Sequence, residues 1–360
     1  MRRTLALVVA ATVTATLLAP AAAHASPPAR PGLERALADL VGTGPPGALV
    51  QYRDARGAWT GSAGVAELGR PGRVDPHGVF RIGSVTKTYT SVMVLQLVGE
   101  GRLRLTDPVE RWLPGLVPGG DRITLRQLLG HTAGLWDYTD SLGDYPELYR
   151  DRDKQWRAED LLALATSHEP LFEPGTSQAY SNTGYLLLGM VLRSVTGHSY
   201  QEELSRRITG PLRLEHTAMP ADSALPGPHA HGYVEIDGAL TDFTRMTPSW
   251  ASSAGGLVST ATEVNKFFAA LFAGRLLRPA EQRELFRPVG AADHYGLGVY
   301  RVDVSCGLSV WGHDGSIPGF ETWAFQTLDG RQQVALSFTT ARGDFGAAVT
   351  AVLDKAFCPG

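Results

Sequence analysis

The sequence predicts an α/β protein of the α+β type, in which an antiparallel sheet is built from both ends of the chain and a mainly helical lobe is inserted between them. Two alternating apolar runs joined by a turn sequence lie near the N-terminus, and four more runs lie in the last third. The region between them has helical periodicity and capping signals. Such an arrangement predicts helices packed beside the sheet and a cleft between two lobes.

The N-terminal third is predicted to contain a helix, a β-hairpin and a second helix. The hairpin is indicated by two alternating runs around the turn Asp54-Ala55-Arg56-Gly57. The second helix places Val85, Tyr89 and Val92 near one stripe. The predicted elements are a helix over residues 33–41, strands over 48–53 and 58–66, loop over 67–80 and a helix over 86–98.

The middle of the chain is predicted to be helical, and the last third returns to strands. Capping boxes are indicated where Ser199 precedes Glu202 and where Thr260 precedes Glu263. The dipeptide Asp329-Gly330 predicts a hairpin between the last two strands. The predicted helices are 124–129, 158–165, 185–195, 199–208, 264–272 and 345–357, and the predicted strands are 295–304, 308–312, 321–327 and 332–339.

The N-terminus has the composition of a secretion signal. Arg2 and Arg3 precede an uncharged apolar run over residues 5–18, and small residues mark a cleavage position after Ala25. We therefore expect residues 1–25 to be removed, which predicts a secreted protein without a stable membrane span. A retained membrane anchor is the alternative, but the run is short for a span and no charged stop follows it.

Residues 26–360 are expected to form one unit of two lobes, because the chain is long for a single compact core. The sheet-containing lobe is predicted to comprise residues 32–84 and 250–360, and the mainly helical lobe residues 85–249. The hydrophobic content of 43% is that of a globular protein. A formal net charge of −3 and the absence of a basic run argue against a nucleic-acid partner.

The two cysteines of the chain, Cys306 and Cys358, are candidates for a disulfide. Export would place them in an oxidising compartment, where such bonds persist. Two unpaired buried thiols are the alternative interpretation.

The stretch Arg81–Thr88 holds a serine and a lysine three residues apart at the start of a predicted helix. Three residues is close to one helical turn, so Ser84 and Lys87 would lie on one face within reach of each other. Arginine supplies 29 of the 33 basic side chains. Lysine is informative here because a desolvated lysine can lose its proton, whereas an arginine cannot. The pair predicts a nucleophile beside a base, and an N-cap serine before a solvent-facing lysine is the alternative.

Two further motifs follow in the chain. Tyr180-Ser181-Asn182 lies in a loop before a predicted helix, and His313-Asp314-Gly315 lies at the end of a predicted strand. With Ser84-Val85-Thr86-Lys87, they resemble the three boxes of the penicillin-recognising serine hydrolases, which are the class C β-lactamases and, more closely, the secreted D-alanyl-D-alanine carboxypeptidases of Gram-positive bacteria. The resemblance covers most of the chain after the signal and extends to LRLTDP (103–108), ITLRQLLGHTAGL (123–135), YSNTGYLLLG (180–189), SAGGLVST (253–260), YGLG (295–298) and SCG (305–307).

The resemblance implies a β-lactamase/transpeptidase-like fold on the cell-envelope side of a bacterium, with Ser84 forming an acyl-enzyme. Lys87 would keep the hydroxyl ready for attack, and the start of the helix would help the backbone N–H of Ser84 to stabilise the oxyanion. Tyr180 is expected near two cationic side chains that favour its phenolate, from which it would pass the proton to the leaving amine. Asn182 would bind a substrate amide, and Trp250 matches an aromatic side chain that lines the cleft in relatives; a turn asparagine and a core tryptophan are the alternatives.

The third box departs from the usual pattern. His313 stands where many relatives have lysine, and we expect its imidazole to hydrogen-bond the Tyr180 hydroxyl and to add a titratable group. Ser316 matches the position whose backbone N–H completes the oxyanion hole. Asp314 replaces the usual Ser or Thr and would repel a substrate carboxylate, and Tyr300 occupies the place of a carboxylate-binding arginine. Carboxylate recognition is thereby placed in question.

The leading prediction is a secreted, monomeric serine hydrolase, specifically a D-alanyl-D-alanine carboxypeptidase that also binds penicillin. An esterase, a D-amino-acid amidase and a β-lactamase of the same fold are alternatives, and so is a non-catalytic binder of cell-wall fragments. The predicted partner is a small peptide, β-lactam or ester substrate, with no cofactor. No Gly-x-Ser-x-Gly elbow is present, which argues against an α/β-hydrolase. His229 and His231 lack the third ligand of a metal site, so no metal is expected.

Overall fold

The computed structural model describes residues 30–290, 294–340 and 345–358, so the predicted signal segment lies outside the described residues. The helices are α1 Pro31–Gly42, α2 Thr86–Gly99, α3 Leu125–Leu129, α4 Tyr145–Arg150, α5 Ala158–Thr166, α6 Asn182–Thr196, α7 Tyr200–Leu204, α8 Gly210–Leu212, α9 Ser252–Gly255, α10 Ala261–Phe272, α11 Pro279–Phe286 and α12 Gly346–Phe357. The strands are β1 Gly47–Asp54, β2 Gly57–Gly64, β3 Phe80–Arg81, β4 Tyr233–Ile236, β5 Ala239–Asp242, β6 Val258–Ser259, β7 Tyr300–Asp303, β8 Ser309–Ile317, β9 Phe320–Thr327 and β10 Gln333–Phe338.

In the described part of the chain, the main sheet has six antiparallel strands in the order β2-β1-β10-β9-β8-β7. Strand β1 near the N-terminus pairs directly with β10 near the C-terminus, with Leu49 opposite Ser337. The two ends of the chain therefore share one sheet, and the helical region between them is an insertion. This confirms the predicted fold class.

Alternation along β1 separates the two faces of the sheet. Ala48 and Val50 belong to a core shared with α1 and α12, whereas Leu49 belongs to the larger core of the helical region. Gln51, on the same face as Leu49, accepts a hydrogen bond from Asn265 of α10 at 2.9 Å. The sheet is thus covered by helices on both faces, and its second face is the one that meets the helical region.

Helix α2 runs through the centre of the larger core. The sequence predicted one apolar stripe, but the helix is buried on all sides from Thr86 to Leu95. Two of its threonine hydroxyls donate to neighbouring backbone, Thr88 to the Gly298 carbonyl at 2.7 Å and Thr90 to the Ser253 carbonyl at 2.7 Å. A helix enclosed in this way is held rigidly by its surroundings.

Two predicted boundaries differ in the last third of the chain. Strand β8 continues to Ile317, because β9 pairs with it up to the tight turn at Gly319, and the His313-Asp314-Gly315 motif is therefore inside a strand rather than at its end. Strand β7 begins only at Tyr300. Pairing between β7 and β8 reaches no further than Gly312, so the second half of β8 is unpaired with β7.

The second predicted capping box is only half correct. The Thr260 side chain caps α10 by accepting from the Glu263 N–H, as expected. The Glu263 carboxylate, however, accepts hydrogen bonds from the His216 N–H and the Thr217 hydroxyl instead of returning to the cap. A tertiary contact has replaced the local one. The first predicted box, between Ser199 and Glu202, is complete.

The predicted pairing of Cys306 with Cys358 is confirmed. The two residues are joined by a disulfide with their Cα atoms 5.8 Å apart, which ties the β7–β8 turn to the end of α12. Within the described part of the chain, no helix has the length and apolar character needed to cross a membrane.

Candidate active site

The nucleophile turn and strand β8 are in direct backbone contact. Ser84 lies in a short 3-10 turn that runs into α2. Gly83 has a φ of +49°, and a Cβ at this position would lie 3.0 Å from the Ser316 nitrogen. A Cβ at Gly315 would lie 2.1 Å from the Ile82 carbonyl oxygen and 2.8 Å from the Ser84 nitrogen. One glycine from each motif therefore allows β8 to pack against the turn that carries Ser84.

Lys87 is fully buried beneath Ser84, with a side-chain exposure of 0%. Its Nζ donates to Ser84 Oγ at 2.9 Å, to Asn182 Oδ1 at 2.7 Å and to the Ala254 carbonyl at 2.9 Å. Burial lowers the pKa of Lys87 from 10.5 to about 7, while the charges of Asp137 and Asp314 act in the opposite direction. Near neutral pH, a large fraction of Lys87 is therefore an uncharged amine that can accept the Ser84 proton.

Asn182 is held in one orientation by Asp137. The Asp137 Oδ2 atom accepts from both the backbone N–H of Asn182, at 2.9 Å, and its side-chain NH₂, at 2.8 Å. The carbonyl end of the amide is thereby directed at Lys87. Asn182 begins α6 and is consequently part of a fixed hydrogen-bonded group rather than a simple turn residue.

Tyr180 lies beside the Ser84–Lys87 pair, with its ring centroid 4.7 Å from Lys87 Nζ. Its side chain is 46% exposed, yet burial around the hydroxyl raises its pKa well above 10, and a hydrogen bond with Ser84 only partly opposes this. The expectation of a phenolate is therefore wrong. Of the two cationic neighbours expected from the sequence, Lys87 keeps appreciable positive charge near neutral pH, whereas burial lowers the pKa of His313 to about 4.

His313 does not act as predicted. The residue is 1% exposed, and both ring nitrogens have other partners. Nε2 lies 3.1 Å from the Tyr295 hydroxyl, and Nδ1 lies 2.5 Å from the Asp314 carbonyl. No ring nitrogen remains for Tyr180. Alternation along β8 turns His313 toward α2, where burial and the Lys87 charge keep the imidazole neutral despite the nearby Asp314 charge.

The remaining third-box residues form a separate polar group. The Tyr300 hydroxyl donates to Asp314 Oδ1 at 2.9 Å, and the Ser316 hydroxyl donates to Glu321 Oε1 at 2.5 Å. Burial raises the pKa of Glu321 from 4.5 to about 7. Relatives are expected to present hydrogen-bond donors to a substrate carboxylate at this place, whereas this chain places two carboxyl groups there. The charge of Asp314 also acts to raise the pKa of Lys87.

A cavity of about 220 Å³ opens beside Ser84. Trp250 lies on its wall, as predicted for a cleft-lining residue, and its carbonyl accepts from the Tyr138 hydroxyl at 2.7 Å. The wall contains both polar and apolar side chains, and among the described residues it contains no lysine or arginine. The cavity is lined by Ser84, Tyr138, Thr139, Leu142, Tyr145, Leu148, Asn182, Trp250, Ala251, Gly255, Ser316, Ile317 and Pro318.

Sequence reasoning missed three residues of this region. Asp137 orients Asn182, whereas His131 and Tyr295 link the Tyr180 loop to β8 through hydrogen bonds. His131 and Tyr295 lie in stretches that carry the family resemblance, so the signal for their positions was present. Their partners are 50 and 18 residues away along the chain, and no local pattern reveals such contacts.

The arrangement provides a serine nucleophile, a buried amine as its base, a fixed amide and a neutral tyrosine, all beside one cavity. These are the groups needed for acyl transfer through a covalent intermediate. Among the described residues, no cluster of three or more histidine, cysteine, aspartate or glutamate side chains could hold a metal ion.

Comparison with known families agrees with this chemistry. Residues 33–357 match the profile of the Beta-lactamase family. The chain belongs to the beta-lactamase family. Members of this family include penicillin-binding proteins and amidases that work as serine hydrolases, so the chain belongs to a serine-hydrolase family and has the β-lactamase/transpeptidase-like fold.

Relatives of this beta-lactamase family member differ in activity. Penicillin-binding protein 4* of Bacillus subtilis is 27% identical over 289 residues, which are 75% of this chain and 63% of that protein. Teichoic acid D-alanine hydrolase of Staphylococcus aureus is 28% identical over 228 residues, covering 62% and 54% of the two chains. The chain thus spans about three fifths of the length of these relatives.

Two solved structures match over nearly their whole length. A D-stereospecific amidohydrolase from a Streptomyces species has a TM-score of 0.84 and 38% identity, covering 92% of this chain and 99% of that one. The D-amino acid amidase of Ochrobactrum anthropi has a TM-score of 0.79 and 26% identity, covering 90% and 97%.

Proposed function

We propose that the protein is a D-stereospecific amidohydrolase that acylates Ser84 with D-aminoacyl amides or esters carrying a free ammonium group and no carboxylate beside the scissile bond. The observation that carries the proposal is the Tyr300–Asp314 pair. A carboxylate at this edge of β8 repels a substrate carboxylate and attracts an ammonium group. Carboxypeptidase action, the leading sequence prediction, stays a prediction.

The reaction proceeds by two acyl transfers. Ser84 Oγ attacks the carbonyl carbon while neutral Lys87 accepts the hydroxyl proton, and the resulting oxyanion lies against the backbone N–H groups of Ser84 and Ser316. The carbon–nitrogen bond then breaks as the leaving amine receives a proton from the Tyr180 hydroxyl, which is replaced by the proton held on Lys87. Water repeats the sequence on the acyl-enzyme and releases the acid.

The comparisons support the substrate class. The Streptomyces protein is named as a D-stereospecific amidohydrolase. It is 38% identical to this chain, and the match covers more than nine tenths of both chains. The Ochrobactrum protein is named as a D-amino acid amidase. The longer relatives are named as a penicillin-binding protein and a teichoic acid D-alanine hydrolase, which supports a carboxypeptidase or an esterase as the second candidate.

We further propose that the protein acts outside the cytoplasm, on the cell-envelope side of a bacterium. The proposal is supported by the signal-like segment over residues 1–25 and by the Cys306–Cys358 disulfide, which an oxidising compartment preserves.

A substrate panel tests the proposed activity. The purified protein and a Ser84→Ala variant are given D- and L-amino-acid amides, a D-alanyl-D-alanine peptide, a penicillin and an activated ester, while product release and intact mass are followed. We expect the D-amide to be the best nitrogen-linked substrate and Ser84→Ala to give neither adduct nor turnover. Faster turnover of the D-alanyl-D-alanine peptide would select the carboxypeptidase, and no adduct with any compound would select the non-catalytic binder.

A matched variant tests the role of Asp314. Asp314→Thr restores the usual residue of the third box and removes a charge, so we expect kcat/KM for carboxylate-ended substrates to rise by about 10-fold relative to neutral esters. Asp303→Thr, an exposed aspartate on β7, is the control. An unchanged ratio in Asp314→Thr would show that Asp314 does not select the substrate.

A further inference from the structure

A chain of hydrogen bonds runs behind the catalytic group. The Ser181 backbone N–H donates to His131 Nδ1 at 3.1 Å, and His131 Nε2 lies 3.0 Å from the Tyr295 hydroxyl. The same hydroxyl lies 3.1 Å from His313 Nε2, and His313 Nδ1 lies 2.5 Å from the Asp314 carbonyl. The three side chains are each less than a tenth exposed. Water is therefore largely excluded from this chain of hydrogen bonds.

The two ends of this chain determine where its protons are. A backbone N–H can only donate, so His131 Nδ1 is an acceptor and the proton of the neutral ring is on Nε2. A carbonyl can only accept, so His313 Nδ1 carries the proton of that ring. Tyr295 consequently accepts from His131 and donates to His313. A second proton on His313 would leave the Tyr295 hydroxyl between two ring donors, so its own proton would have to turn to the neighbouring Tyr185 hydroxyl.

The chain joins the two walls of the cleft. At one end, Ser181 lies between Tyr180 and Asn182, and the His131 ring packs on the Tyr180 ring at 4.3 Å between centroids. His131 also has a φ of +60°, a conformation that non-glycine residues adopt at a cost, and surrounding contacts must hold it there. At the other end, Asp314 belongs to the β8 segment that packs against the nucleophile turn.

We propose that Tyr295 is a positioning residue for acyl transfer, whose hydroxyl holds His131 and His313 as neutral rings of opposite tautomer and thereby fixes the Tyr180 loop relative to β8. The inference rests on the proposed function only in assigning Tyr295 a part in turnover. Among the described residues, the titratable groups around His313 are Lys87 on α2, Asp314 on β8 itself, His131, and the Tyr295 and Tyr300 hydroxyls. The Tyr185 hydroxyl on α6 faces Tyr295.

Nitrogen-15 spectra of the whole labelled protein test the proton positions without any assay of activity. Two-bond nitrogen–proton correlations distinguish a ring protonated on Nδ1 from one protonated on Nε2. We expect His131 to be the Nε2–H tautomer and His313 the Nδ1–H tautomer between pH 8 and pH 6. The same tautomer in both rings, or an imidazolium at position 313 at pH 7, would overturn the proposal.

Tyr295→Phe removes the hydroxyl and keeps the ring. We expect kcat for the best substrate of the panel to fall by about 10- to 100-fold with KM changed less than about threefold, because the misplaced groups act in the transition state. His313 Nε2 loses its donor, so its proton affinity should rise and a new ionisation should enter the pH profile of kcat. Tyr233→Phe is the control, since that partly buried hydroxyl accepts from the Leu68 N–H at 2.9 Å, and neither residue lines the cavity beside Ser84.

The outcomes separate the two proposals. Wild-type kcat and pH profile in a folded Tyr295→Phe variant would show that Tyr295 has no positioning role, even if the amidohydrolase activity is present. Absence of turnover in the wild-type protein would remove the proposed function, while the tautomers would still decide whether the chain exists. If Tyr295→Phe does not fold, the wild-type spectra alone decide.

Discussion

The two sides of the cleft differ in how closely they follow the family pattern. On the helical side, Ser84, Lys87 and Asn182 form one hydrogen-bonded group, oriented by Asp137. On the sheet side, Asp314 is bonded to Tyr300, and the Ser316 hydroxyl to Glu321, so that carboxyl groups stand where a carboxylate is usually recognised. The helical side keeps the chemistry of the family, and the sheet side departs from it.

The difference shows which side of the cleft is free to change. Activation of Ser84 depends on distances near 2.9 Å inside a buried cluster, and any substitution there removes a partner of a buried polar group. The β8 edge acts on the substrate through charge, which can change sign without disturbing the nucleophile. Under the proposed function, the sheet side therefore selects the substrate class, and the helical side carries out the acyl transfer.

The largest expected effect is a loss of activity when the buried amine on the helical side of the cleft is replaced. Lys87→Arg keeps the positive charge but supplies a group that does not deprotonate, and it must fit a fully buried site. We expect kcat/KM to fall by about 1,000-fold or more, measured as turnover of the best substrate. Lys266→Arg, which bonds only the exposed Arg213 carbonyl, is the matched control. Retained activity in Lys87→Arg would show that Lys87 is not the base.

An intermediate effect is expected when Asp137, which orients Asn182 on the same side of the cleft, loses its charge. Asp137→Asn removes the carboxylate that raises the Lys87 pKa and accepts both Asn182 donors. Catalysis needs neutral Lys87, so wild-type kcat/KM should rise with pH to a plateau above about 7. In Asp137→Asn we expect this rise to move to lower pH and the plateau to fall by about 10-fold. A rise that moves to higher pH would contradict this account.

The smallest effect concerns stability on the sheet side. Burial raises the Glu321 pKa from 4.5 to about 7, so between these values the folded protein holds a proton that the unfolded chain has lost. The free energy of unfolding should therefore fall as pH rises from about 5 to 7. Glu321→Gln removes this contribution, and we expect its loss of stability between pH 5 and pH 8 to be about 1 to 2 kcal/mol smaller than that of the wild type.

Urea unfolding at the two pH values measures this difference. Glu173→Gln, an exposed glutamate paired with Arg122 across the surface, is the control. If both variants lose as much stability as the wild type between pH 5 and pH 8, the buried proton on Glu321 is absent.

Several elements of the fold were accessible from the sequence because their signals are local. The β1–β2 hairpin, α2 and the Gly197 end of α6 each follow from residues within a few positions of one another. The length of β8 was not accessible. Asp314 and Gly315 suggest a strand end, and only pairing with β9 keeps the chain extended to Ile317.

By itself, the sequence determined that Ser84 and Lys87 lie together, since a spacing of three residues at a helix start brings them close wherever the helix packs. It also limited any disulfide within the chain to one pair, because Cys306 and Cys358 are its two cysteines. The tertiary structure alone decided the ionisation of the site. Burial lowers the Lys87 pKa, raises the Tyr180 pKa and keeps His313 neutral beside Tyr295. Sequence could not show this, because desolvation depends on residues that are remote along the chain.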